Sequence, residues 1–174
     1  MTNKEIIRIS YILLSHYRTV SRISSEQFKE FFEYIFRICP AAYAAFVNKS
    51  KFTEEDAKNI VSDYISLIKR TVKKMENATF NENIRLNNED KYKDLCNSYK
   101  IICMLYINKK PVSKKEICKK LSLSDTHFSR HYKKALLIFS KYMKPIAEKM
   151  GYSFYVNEQM LKTISSAKKI NKCS

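Results

Sequence analysis

Thr126, His127, Ser129, Arg130, Lys133 and Lys134 fall within one nine-residue stretch. Between them they offer hydroxyls, an imidazole, a guanidinium and two ammonium groups. On a helix they lie opposite Phe128, Tyr132, Ala135, Leu136 and Phe139, apolar or aromatic residues that recur at spacings of three and four. A guanidinium can pair with the acceptor edge of guanine in bidentate fashion, and hydroxyls or an imidazole can meet either kind of edge. Thr126, His127, Ser129, Arg130 and Lys133 are therefore the candidates for contacts to DNA bases, with Arg130 foremost. Lys114, Lys115, Lys119 and Lys134 are the candidates for phosphate contacts, which give affinity without sequence information.

Other chemistries find little support. His127 and His131 are four apart, a spacing that can ligate a metal on a helix, but no third ligand or HExxH glutamate accompanies them. The only glycine is Gly151, which removes phosphate-cradling loops, and no nucleophile elbow is present. No catalytic residue, metal or cofactor is expected, and the chain does not read as an enzyme. Its five cysteines, Cys39, Cys96, Cys103, Cys118 and Cys173, are odd in number and form no CxxC pair. That argues against both a disulfide framework and a structural zinc site. Cys96 and Cys103 are expected to be small core residues.

Positioning these groups requires helices. Of 174 residues, 45% are apolar, with one Gly and three Pro, so hairpins are scarce and an all-α fold is expected. Ser113-Lys-Lys-Glu116 reads as a capping box that opens a short helix, Lys114 to Leu121, with Ile117 and Leu121 inward. Ser122-Leu123-Ser124 is a tight turn plugged by Leu123. Ser124 then caps a third helix that has Asp125 in its first turn. Before them, Tyr92 to Ile107 forms a helix with Leu95, Tyr99, Ile102, Cys103 and Tyr106 inward. Such a trio is a helix-turn-helix, whose last helix enters the major groove by its N-terminal turns.

Upstream, residues 4 to 22 form a helix with one broad apolar face. Ser24 or Ser25 caps a second, bearing Phe28, Phe31, Phe32, Ile35 and Phe36, which Pro40 ends. An Ala-rich segment, Ala41 to Val47, follows. Thr53-Glu-Glu-Asp56 starts another helix, which runs to about Met75. The interval 76–91 is rich in Asn and reads as a linker, with a short turn around Phe80 to Leu86. The expected organisation is thus an N-terminal helical module (1–75), a linker (76–91), a helix-turn-helix domain (92–150) and a C-terminal tail (151–174). In the tail, Gly151 ends the long helix, which Pro145 bends, and Glu158 to Lys169 suits a short helix.

Charge follows the same division. The net charge is +16, and residues 111 to 150 alone hold ten basic and three acidic groups. A polyanionic partner is expected, and the density is highest where the base-contact candidates lie. No apolar run approaches the roughly 20 residues that a bilayer span needs. No secretory leader pattern opens the chain, so a cytoplasmic location without membrane contact is expected.

The stretch from Tyr106 to Leu137 resembles region 4 of sigma-70-type factors. The features that carry the likeness are Ser113-x-x-Glu116-Ile117, Leu121-x-Leu123-Ser124, Phe128 and Lys134-Ala135-Leu136. It is also similar to phage late-transcription regulators of the ArpU and RinA type. The resemblance implies binding of promoter DNA through the third helix, in a regulator encoded by a phage or mobile element. Phe28 to Lys69 resembles the first two helices of sigma region 2, and Thr53-Glu-Glu-Asp-Ala-Lys-Asn-Ile-Val61 its polymerase-binding helix. Double-stranded DNA is the principal partner expected. RNA polymerase and a second copy of the chain are the partners open to the N-terminal half. Two other readings stand beside the regulator: an alternative sigma factor that recruits polymerase, and a helical protein–protein adaptor whose basic surface is incidental.

Overall fold

The computed structural model describes residues 2–22 and 54–150. The expected helix around Phe28 to Phe36, the Ala41 to Val47 segment, the Thr53 cap and the tail from Gly151 lie outside the described residues. The fold is all-α. Among the described residues there are six α-helices and no strand: α1 (Asn3–Val20), α2 (Glu54–Thr79), α3 (Glu82–Asn87), α4 (Glu89–Ile102), α5 (Lys114–Leu121) and α6 (Asp125–Lys149). A π-helical turn, Cys103–Ile107, continues α4.

The chain divides into two compact units, Met1–Ser21 with Ile65–Gly151, and Arg22–Tyr64 with Tyr152–Ser174. The first carries the candidate residues. At its centre α6 packs most extensively on α4, then on α1, while α5 touches it at fewer points. Leu95, Ile101 and Ile102 of α4 meet this core with Ala135, Leu136, Phe139, Met143 and Ala147 of α6 and Leu14, Tyr17 and Val20 of α1; all are buried. Burying each of the large side chains contributes roughly 1.5–3 kcal/mol. Ala135 and Ala147 are fully covered, as small side chains are where helices approach closely.

Local chemistry sets the ends of these helices. Thr2 and Glu5 close a full capping box on α1: the Thr2 N–H donates to Glu5 Oε2 at 2.7 Å, and the Glu5 N–H to Thr2 Oγ1 at 3.4 Å. The box expected at α5 is only half made. Ser113 Oγ accepts from the Glu116 N–H at 3.2 Å, but the Glu116 carboxylate turns to Lys120 Nζ, 2.8 Å away, one turn along. Ser124 caps α6 by accepting from the His127 N–H at 3.3 Å. α6 runs on through Pro145.

The interval 76–91, expected as a linker, is largely helical. α2 continues to Thr79, α3 packs on α4, and Asn88 caps α4 by accepting from the Lys91 N–H at 2.8 Å. Two tyrosines of α4 tie the end of α2 down: Tyr92 donates to the Thr79 carbonyl at 2.8 Å and Tyr99 to Glu76 Oε1 at 2.9 Å. The side chains that order this interval thus lie partly on α4, 13 and 23 residues further along the chain. Phe80 and Leu86 remain exposed.

Candidate nucleic-acid interface

The site is built on the turn between α5 and α6. Ser122 adopts the left-handed conformation, with φ 52° and ψ 45°. Its N–H donates to the Lys119 carbonyl at 3.4 Å, and the Leu123 N–H to the Cys118 carbonyl at 2.9 Å. These are the paired bonds of a Schellman ending, which satisfy carbonyls that α5 would leave orphaned. Leu123 is half-buried in the turn, and Ile117 of α5 is fully buried. Leu121, expected inward, is only half-buried.

Beyond the turn, Phe128 anchors the first turns of α6. It is buried, stacks on Tyr132 with ring centroids 6.0 Å apart, and has the Lys114 ammonium 5.7 Å over its ring. Tyr132 in turn shares a hydrogen bond with Tyr106 of the π turn. Burial raises the phenol pKa of both, first by desolvation, so the pair stays un-ionised and can keep its shared proton. Inward residues thereby fix the rotation of α6, and its outward residues follow.

Those outward residues are the candidates. Thr126, His127, Ser129, Arg130 and Lys133 are all exposed, and Thr126, Arg130 and Lys133 share one face at i, i+4 and i+7. Their side chains make no hydrogen bond or ion pair among the described residues. Lys115 and Lys119 are likewise exposed and unpaired there.

Lys114 and Lys134 are placed differently from the other two phosphate candidates. Lys114 Nζ bonds Asp125 Oδ2 at 3.0 Å and, with that bond first among the causes, holds the carboxyl below the usual aspartate range. The Cys118 thiol also donates to Asp125, at 3.7 Å. Burial first, and the Asp125 carboxylate second, push that thiol's pKa up, so it remains the donor. Lys134 forms an ion pair with Asp94 of α4. Both lysines thus join elements of the fold, α5 to α6 and α6 to α4.

Arg18 was not singled out in the sequence. From α1 its Nη2 donates to the Leu105 carbonyl at 2.8 Å and its Nε to the Asn108 carbonyl at 3.2 Å. A cation suits the carbonyl end of a helix, where acceptors lack intrahelical donors. The Val112 N–H takes the Met104 carbonyl at 3.0 Å. The segment that leads into α5 is therefore held at Asn108 and at Val112. Its partners lie 87 and 90 residues from Arg18, and no local pattern signals such a contact.

Among the described residues, no three His, Cys, Asp or Glu side chains gather as metal ligands would. No helix there is long and apolar enough to cross a membrane. In comparisons with known proteins, no family model, no curated protein and no solved structure matches this chain.

Proposed function

We propose that the chain is a sequence-specific DNA-binding transcriptional regulator, of the phage or mobile-element type, in which α5, the Ser122–Ser124 turn and α6 act as a helix-turn-helix on promoter DNA. The observation that carries this reading is the condition of the first turns of α6. Thr126, His127, Ser129, Arg130 and Lys133 are exposed and uncommitted, while Phe128 and the Tyr132–Tyr106 bond hold the helix beneath them. In the major groove, Arg130 pairs with a guanine edge, and the hydroxyls and His127 read neighbouring positions. Lys115 and Lys119 grip phosphates from α5, and Lys114 and Lys134 chiefly position the reading helix.

Selection of bound sequences from a random duplex pool tests this reading. A defined consensus is expected, and paired half-sites about 10 base pairs apart would report a dimer. Arg130→Ala is expected to weaken binding to that consensus by about 1–3 kcal/mol, roughly 5- to 150-fold, and to relax the preference at one position, with helical content unchanged. A pool that returns no consensus, or an Arg130→Ala variant with undiminished preference at every position, would overturn it.

A further inference from the structure

The exposed face of α6 does not stop at the base-reading turns. Arg130, Lys133, Leu137, Lys141 and Lys144 succeed one another at spacings of three and four, so they lie along one side of the helix. Lys141 and Lys144 are exposed, and at the same level Phe139, Met143 and Ala147 are fully buried. The core therefore fixes the rotation of this second half, with its lysines outward in line with Arg130.

The charge pattern differs from that of a merely solvated helix. Such surfaces mix signs and pair them one turn apart, as α4 does with Glu89 and Lys93, whose charged atoms are 2.9 Å apart. From Thr126 to Ala147, α6 carries Arg130, Lys133, Lys134, Lys141 and Lys144 without a single carboxylate. Lys141 has no ion-pair partner among the described residues, and Lys144 has Glu148 only at 4.0 Å. The 25 residues of α6 extend about 37 Å, whereas the major groove is only about 12 Å wide. A helix that enters the groove by its first turns carries its later ones past the groove edge.

We propose that Lys141 and Lys144 bind backbone phosphates flanking the recognised sequence, so that one face of α6 both reads bases and clamps the adjoining duplex. This rests on the reading of α6 as a DNA-binding helix. The test measures binding of the full chain to its selected duplex between 50 and 200 mM salt, for the wild type, Lys141→Ala/Lys144→Ala and Arg130→Ala. Losing two phosphate contacts is expected to reduce the slope of log affinity against log salt by about 1.8, so wild-type affinity falls about 12-fold more than the variant's over that range. The ranking of single base-pair changes in the duplex is expected to stay the same for the double variant. A double variant with the wild-type salt slope overturns this proposal, and leaves the DNA-binding reading intact if Arg130→Ala still relaxes the sequence preference. A wild type with no sequence preference overturns both.

Discussion

At the scale of single residues, type and spacing were enough to mark which side of α6 faces out, because a buried stripe of Phe128, Ala135, Leu136 and Phe139 leaves the complementary side no alternative. What each outward cation does was not legible. Lys134 looks like its neighbour Lys133, yet Asp94, 40 residues earlier in the chain, claims it. Lys114 likewise meets Asp125 across the turn. The site thus contains two kinds of lysine that no local pattern separates. A different residue-scale consequence concerns His16 of α1. It is half-buried, and burial disfavours its imidazolium, so its pKa lies below the ordinary 6.5. The unfolded chain therefore takes up this proton first as pH falls. His16 contributes its full stability above about 6.5, and that contribution is withdrawn as pH drops from there toward the lower folded-state value. The urea midpoint of the wild type is expected to be lower at pH 5.5 than at pH 7.5, and His16→Gln to narrow the difference. Identical pH dependence in the two proteins would show that His16 carries none of it.

At the scale of elements, the short α5 was readable to the residue, since Ser113 and Ser124 mark the starts of α5 and α6 by hydroxyls that accept helix-end amides. The handedness of the turn between them was hidden. A left-handed residue usually announces itself as glycine, and here it is Ser122, the one non-glycine residue with positive φ among the described residues. The conformation costs a residue with a Cβ roughly 1–2 kcal/mol, and the Schellman bonds hold it there. Ser122→Gly is accordingly expected to raise stability by about 1 kcal/mol, or the melting temperature by about 2–4 °C, with DNA affinity retained. Ser122→Val is expected to lower it, because a β-branched side chain suits that region worst. Thermal melts of the three proteins check the order, and a glycine variant less stable than the wild type would mean that the turn carries no strain to relieve. The π turn at the end of α4 was equally hidden: the Asn108 and Val112 N–H groups take its Cys103 and Met104 carbonyls, but its Leu105 carbonyl is met by Arg18 of α1, 87 residues away.

At the scale of the molecule, the sequence pattern sets the first 75 residues apart from α5 and α6, with a linker at 76–91, while contacts place α1 against α6 and the π turn, within one unit with Ile65–Gly151. Periodicity shows that a helix has an apolar face but not which partner covers it, and α1 meets its partner about a hundred residues away. The energetics make this association matter. Leu14, Tyr17 and Val20 are almost wholly buried, and at roughly 1.5–3 kcal/mol each their cover is worth about 4.5–9 kcal/mol, comparable with the entire stability of a small domain. Removing α1 also strips the Leu105 and Asn108 carbonyls of the Arg18 guanidinium, just where the chain turns toward α5. Residues 92–150 expressed alone are therefore expected to show no cooperative thermal transition by circular dichroism, under conditions where the full chain melts sharply. They are also expected to lose selective binding to the consensus duplex, although every base-contact candidate is still present. If that fragment instead melted cooperatively near the full chain's temperature and kept its sequence preference, α1 would be a neighbour of α5 and α6 and not part of what holds them.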